Sequence, residues 1–201
     1  MSAPPVWGLL LAAGEGQRFR AAGGGDKLLH LIEGEALVLA SAQRLRAALM
    51  LECGDQMRVV LRPGSDALQS LLEARGFEVF LSPTAERGMG ASLASAMSVL
   101  PADAAFMVAL ADMPFIAVHS YARVRDALRE GASIVQPRYQ GQPGHPVGFA
   151  ARWRAELAQL DGDTGARGLL HSHGDQVLKL ALDDPGILRD IDLPTQLADP
   201  G

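Results

Sequence analysis

The chain has 201 residues, 48% of them apolar, enough for a continuous core and suited to one domain of ordinary size spanning 1–201. A formal charge of −5, with no Lys/Arg cluster interleaved with aromatic residues, excludes a protein that tracks a nucleic-acid backbone. The apolar runs are strand-sized and broken by polar residues, so neither a membrane span nor a secretory signal is visible; Cys53 stands alone and forms no internal disulfide, and a cytoplasmic protein without a membrane partner is expected.

The run from Val6 to Leu11 reads as a buried strand. It opens into Ala12-Ala13-Gly14-Glu15-Gly16-Gln17-Arg18-Phe19 and then Gly23-Gly24-Gly25-Asp26-Lys27. Small residues leave backbone N–H groups uncovered, so a polyphosphate can approach them closely. Arg18 adds a planar fork of donors and Lys27 a mobile point charge. The stretch therefore proposes a nucleoside triphosphate site. A G-x-G-x-x-G dinucleotide fingerprint would need glycine where Phe19 stands, and a P-loop would need Ser or Thr where Leu28 follows Lys27. A glycine-rich turn that only joins a strand to a helix is the plain alternative.

Residues 28–31 read as a short extended piece closed by a turn at Glu33-Gly34, and 36–51 as a helix with Leu37, Ala40, Leu45, Ala48 and Leu49 on one side. The β-rich run 57–61 ends at Arg62-Pro63-Gly64. Ser65 is placed to cap a helix reaching about Arg75, Gly76 stops it, and 78–81 is a further strand. Strands alternating with helices predict a parallel sheet with right-handed crossovers. Residues 86–93 read as a loop, with Ser92 or a neighbour capping a helix marked by Ala94, Met97 and Leu100. Small residues at that helix entrance offer free N–H groups to anions or polar base edges.

The nearly unbroken apolar run 104–110 predicts a central parallel strand, and it leads to Asp112. Ligands gather beyond the carboxyl ends of such strands, where a carboxylate is a natural partner for Mg²⁺. An ordinary turn residue before Met113-Pro114 is the alternative. A helix over 118–130 leads to a strand over 133–136. Residues 137–146, dense in proline and glycine, read as an irregular loop whose Arg138, Tyr139 and His145 offer polar groups to an acceptor molecule. For His145, a structural hydrogen bond to the loop backbone is an equal reading. Residues 147–149 read as an antiparallel return and 152–160 as an amphipathic helix. A further helix, with Asp163 and Thr164 placed to cap it, ends near His171 and His173; two residues apart, these do not share a helix face and read as solvated. After a last strand over 177–182, Asp190 and Asp192 project to one face if the tail is extended, and either completes a metal site begun by Asp112. Capping of a turn led by Pro194 is the alternative role for Asp192.

Several of these segments, in this order, resemble the molybdenum cofactor cytidylyltransferases and the wider group of nucleotidyltransferases around them. They are Leu11-Ala12-Ala13-Gly14 with Arg18 and Asp26-Lys27, Gly88-Met89 with Ser92-Leu93, and Leu110-Ala111-Asp112-Met113-Pro114. Further along come Tyr139 and Gly141 with Gly144-His145-Pro146, then Gly162-Asp163 with Gly165-Ala166-Arg167, and Asp190-Ile191-Asp192 with Pro194. The resemblance runs from residue 9 to about 194. It implies a Rossmann-like three-layer α/β sandwich of the nucleotide-diphospho-sugar transferase type, with a mostly parallel central sheet and an antiparallel excursion. It implies nucleotide contacts at Leu11, Ala12, Ala13, Gly14, Gly16, Arg18, Lys27, Gly88, Met89 and Ser92, with Arg18, Lys27 and Asp112 in catalytic positions. It further implies acceptor contacts at Tyr139, His145, Asp163 and Arg167, and Mg²⁺ on Asp112 and Asp192.

The reaction so implied transfers CMP from CTP to the terminal phosphate of molybdopterin and releases pyrophosphate, with a molybdoenzyme or its maturation chaperone as a further partner. Such a transfer needs positioning and charge compensation rather than a covalent nucleophile. Guanylyl-transferring relatives tend to carry L-A-G-G where this chain has Leu11-Ala12-Ala13-Gly14, which favours CTP over GTP, although a methyl-sized difference in a pocket is worth only about 1–3 kcal/mol. Guanylyl transfer, or another small phosphorylated acceptor such as a sugar 1-phosphate, is the alternative within the class. Outside it stand an NAD(P)-dependent oxidoreductase, opposed by the broken fingerprint and by Arg62 at the end of the second long strand, and a module that carries the finished cofactor.

Overall fold

The computed structural model describes residues 5–49 and 53–197. In chain order the first half contains β1 (Val6–Leu11), α1 (Gln17–Ala21), β2 (Leu31–Ile32), β3 (Glu35–Ala36), α2 (Leu37–Ala48), β4 (Gln56–Leu61), α3 (Asp66–Glu73), β5 (Val79–Leu81) and α4 (Met89–Ala96). The second half contains β6 (Ala105–Leu110), α5 (Val118–Arg129), β7 (Ile134–Tyr139), β8 (Gln142–Pro143), β9 (Val147–Phe149), α6 (Arg154–Leu157), α7 (Arg167–Ser172) and β10 (Val177–Ala181).

Among the described residues, seven strands form a sheet in the order β10-β7-β9-β6-β1-β4-β5, with β8 paired to β7 beside it. The ladders from β6 through β1 and β4 to β5 are parallel, as is β10 on β7. β9 runs antiparallel between β6 and β7, the expected excursion.

β1 shows why the sheet needs cover on both sides. Val6 and Leu10 enter one apolar cluster, with Leu37 and Leu45 of α2, Leu72 of α3 and Val124 and Leu128 of α5. Trp7, Leu9 and Leu11 enter the other, with Leu93 and Ala96 of α4, Leu157 of α6 and Leu169 of α7. The period of two along the strand thus sends alternate residues to opposite helical layers.

Several boundaries differ from the sequence expectation. Residues 27–29 form a 3₁₀ turn, and Leu31–Ile32 pairs with Glu35–Ala36 as a hairpin around Glu33-Gly34. The helix expected over 36–51 ends at Ala48, and residues 50–52 lie outside the described residues. Ser65 occupies the cap position of α3, but its side chain does not accept a capping bond. α4 starts at Met89, so Ser92 lies inside it and its hydroxyl donates back to the Gly88 carbonyl at 3.1 Å instead of capping. The helix expected over 152–160 is a 3₁₀ turn followed by four α-helical residues. α7 begins at Arg167, so Asp163 and Thr164 do not cap it.

The largest correction is at 137–146, which is not irregular throughout. β7 continues to Tyr139 and turns through Gln140-Gly141, with φ of 48° and 82°, into β8. Pro137 is tolerated because it lies between the residues of β7 that pair with β9 and those that pair with β8.

Candidate functional site

β1 and β6 are adjacent and parallel, with Leu11 opposite Leu110, so the loops that follow both strands leave the same edge of the sheet. They open on a cavity of about 480 Å³. One wall is the loop 12–16. Ala12 N–H is tied to the Val60 carbonyl at 2.9 Å, but among the described residues no protein acceptor takes the amides of Ala13, Gly14, Glu15 or Gly16. A Cβ at Gly14 would meet nothing within 4 Å, so the loop surface is open to a ligand. Gly16 holds φ 60°, which turns the chain into α1.

Facing that wall is a four-charge arrangement. The Lys27 ammonium donates to Asp112 at 2.7 Å and lies 3.6 Å from Asp192, while Arg18 donates to the other Asp192 oxygen at 2.8 Å. Lys27 is 10% exposed and Arg18 80%, so the lysine is an inner charge and the arginine an outer one. The Asp112 backbone is pinned from two sides: the buried Ser41 hydroxyl of α2 donates to the Ala111 carbonyl at 2.7 Å, and Ile191 N–H to the Asp112 carbonyl at 2.9 Å. At the other flank Glu15 faces Arg62 at 3.3 Å, and the Gln17 hydrogen bond, followed by the Arg62 charge, holds its carboxyl below the usual range.

The opposite rim is built by 85–92 against 161–163. Gly90 N–H donates to the Gly162 carbonyl at 2.7 Å, and Arg87 pairs with Asp161 at 2.6 Å, each raising the charge preference of the other. A Cβ on Gly88 would collide with the Asp163 carboxylate, so glycine there allows the two segments to close up.

Of the residues expected at the nucleotide, Leu11, Ala12, Ala13, Gly14, Gly16, Lys27, Gly88, Met89 and Ser92 all line this cavity, as do Asp112 and Asp163. Arg18 and Asp192 reach it through their ion pairs. Tyr139 lies apart, in a shallow depression with Arg138, Lys179 and Asp183, its hydroxyl bonded to Gln140 at 3.1 Å. Arg167 is exposed at the start of α7 and does not line the cavity. His145 is half-buried, with its backbone N–H on the Ile187 carbonyl at 3.0 Å. Burial lowers the pKa of its imidazole, and the Val108 carbonyl and the charges of Asp112 and Asp190 oppose that shift. His171 is exposed, as expected, whereas His173 packs on Trp153 with ring centroids 4.7 Å apart and faces Glu156 at 3.4 Å. Asp26, part of the glycine-rich motif but given no role there, and Glu86 also stand on the cavity wall. The signal for Asp26 was its place before Lys27, where its side chain accepts the Leu28 amide at 3.1 Å.

The donor set suits a hard divalent cation. Two carboxylates converge on one ammonium beside uncovered amides, and Mg²⁺ or Mn²⁺ binds through one or two carboxylates together with substrate phosphates. Among the described residues, no group of three or more His, Cys, Asp or Glu forms a self-sufficient metal cage.

Fold and cavity together define a Rossmann-like α/β protein of the nucleotide-diphospho-sugar transferase type. Residues 8–177 match the family described as MobA-like NTP transferase domain, and the chain belongs to that family. Nicotine blue oxidoreductase of Paenarthrobacter nicotinovorans is 28% identical over 96% of this chain and 95% of its own length. The bifunctional protein GlmU of Bradyrhizobium sp. is 35% identical over 63% of this chain, which spans only 27% of that protein. The crystal structure of Rv0371c from Mycobacterium tuberculosis superposes with a TM-score of 0.83 at 29% identity, covering 98% of both chains. Its manganese complex gives 0.74 at 26% identity over 90% of this chain and 89% of that one.

Proposed function

We propose that the chain is a metal-dependent nucleotidyltransferase that moves CMP from CTP to the terminal phosphate of molybdopterin. The observation that carries this reading is the convergence of Lys27, Asp112 and Asp192 on one edge of a loop whose four amides have no acceptor among the described residues. The amides of 13–16 hold the triphosphate, and Arg18 and Lys27 offset its charge. Asp112 and Asp192 would hold the divalent cation, which would supply charge neutralisation on phosphate oxygens; the manganese complex of Rv0371c supports a divalent cation as such. The remaining rim, Gly88, Met89 and Ser92, receives the nucleoside, and Asp163 stands where an acceptor enters.

In the transfer, an oxygen of the acceptor phosphate attacks the α-phosphorus, a new P–O bond forms, and the bond to the β-phosphate breaks to release pyrophosphate. The acceptor is already anionic, so the protein's task is to align it and compensate charge. The preference for CTP rests on Ala13, which adds a methyl group where guanylyl-transferring relatives tend to carry glycine.

The test is pyrophosphate release from CTP with molybdenum-loaded molybdopterin. Wild-type protein is expected to turn over, and Asp112→Asn to lose at least about a hundredfold, the order seen when one charge-stabilising group is removed. Absence of turnover with every NTP sinks the reading, and unchanged turnover in the variant removes Asp112 from it. The nicotine blue oxidoreductase relative favours a second reading, in which the same amides hold a phosphorylated nicotinamide dinucleotide and Arg62, at the end of β4, meets its 2′-phosphate. Loss of absorbance at the reduced nicotinamide band with candidate dyes would select it.

A further inference from the structure

The tail of the chain reaches the site through a turn that is satisfied from an unexpected side. The backbone amides of Asp192 and Leu193 both donate to the side-chain oxygen of Gln196, each at 2.7 Å. Gln196 N–H returns a bond to the Leu193 carbonyl at 3.1 Å, and the 3₁₀ turn Pro194–Leu197 is closed on itself. This is the glutamine half of a capping box, with proline in the first turn. An aspartate ahead of such a turn ordinarily folds its own carboxylate onto nearby amides. Here Gln196 takes the amides of Asp192 and Leu193, and the next residue, Pro194, has no N–H to offer, so the Asp192 oxygens face Arg18 and Lys27 instead.

The segment is anchored on its other side by Ile191, which is fully buried and bonded to the Asp112 carbonyl. Pro194 packs close to Gly24, where a Cβ would meet its ring carbon at 2.9 Å. Only the direction of the Asp192 side chain is left to be set, and Gln196 occupies the two neighbouring amides, those of Asp192 and Leu193, that compete for it.

We propose that Gln196 is a positioning residue for Asp192. By occupying the two amides it keeps the carboxylate turned into the site, and so sets the affinity for a divalent cation bound together with the triphosphate. The inference rests on Asp112 and Asp192 being the metal ligands proposed above.

Binding of Mn²⁺ in the presence of α,β-methylene-CTP, followed by electron paramagnetic resonance of the free ion, tests it without turnover. Gln196→Leu is expected to weaken Mn²⁺ binding about tenfold, the order of two exposed hydrogen bonds. Gln196→Glu keeps an acceptor oxygen and is expected to stay within about threefold of wild type. Because the effect runs through Asp192, adding Gln196→Leu to Asp192→Asn should weaken binding no further, whereas a purely structural role lets the two losses add. Mn²⁺ held by Gln196→Leu as tightly as by wild type, or full additivity, overturns the inference. Failure of wild-type protein to hold Mn²⁺ with any NTP overturns the reading beneath it instead.

Discussion

Tyr121 carries a hydroxyl into the interior where no described residue bonds it. The residue is fully buried on α5 within the apolar cluster, and its oxygen has no hydrogen-bond partner among the described residues. Burial pushes its pKa up, with the Arg44 charge opposing and the Asp184 charge reinforcing that shift. An unsatisfied buried hydroxyl costs about 1–3 kcal/mol, and replacing it by a group of the same shape without the polar atom removes that cost. Tyr121→Phe is therefore expected to leave stability at pH 7 unchanged or raise it by about 1 kcal/mol in urea unfolding. The sign of the alkaline effect follows from linkage. Between the unfolded value near 10 and the higher folded one, the unfolded chain has lost a proton that the native chain keeps, so stability falls as pH rises above about 10. Tyr121→Phe should remove that part of the decline; a variant less stable than wild type at pH 7 would mean that the hydroxyl has a partner after all. The same accounting explains Asp184, which is also buried but fully engaged: it accepts from Ala117 N–H at 2.9 Å, from Ser120 at 2.6 Å and from Gly186 N–H at 2.9 Å.

At the scale of elements, the start of α4 is the tightest joint near the cavity. A Cβ on Gly90 would stand 2.9 Å from the carbonyl oxygens of both Asp161 and Gly162, backbone atoms that cannot rotate away. Gly90→Ala is expected to cost about 1–3 kcal/mol and to widen the rim. Gly168, inside α7, has nothing within 4 Å of its Cβ position, so Gly168→Ala should stabilise by roughly 0.5–1 kcal/mol. Equal melting temperatures for the two variants would refute the contrast. This joint was only half legible in the sequence. Gly88, Met89 and Ser92 stood out as a segment near the nucleotide, but nothing in residue order shows that 161–163 closes over them, because that contact is made across the fold. β1, β4 and β6 were legible because their apolar runs are covered on both faces. The hairpin around Gln140-Gly141 was not. Pro137 argues against a strand locally, and its tolerance depends on which residues of β7 happen to be paired. Gln196 was equally silent, since its partners are backbone amides and those carry no signature of their own.

For the molecule as a whole, the sheet order decides what the local motifs can do together. Lys27 follows β1 beyond α1 and Asp112 follows β6, yet they lie 2.7 Å apart because β1 and β6 are parallel neighbours; Asp192 comes from far along the chain. Three distant parts of the chain thus share one set of charges. A ligand that engages all of them binds the folded state and not the unfolded chain, and mass action then raises global stability. At a hundred times its dissociation constant such a ligand contributes about 2.7 kcal/mol, which for a chain of this size is roughly 5 to 10 °C in melting temperature. CTP with Mn²⁺ is therefore expected to shift the unfolding transition as one cooperative step. CTP alone should shift it less, because the mutual repulsion of phosphates and carboxylates is then uncompensated apart from Arg18 and Lys27. In a panel with GTP, ATP, UTP and NADPH, each with and without Mn²⁺, the reading requires the largest metal-dependent shift with CTP. A larger shift with NADPH that ignores the metal would transfer the cradle of 13–16 to a dinucleotide and leave Asp112 and Asp192 without a cation to hold.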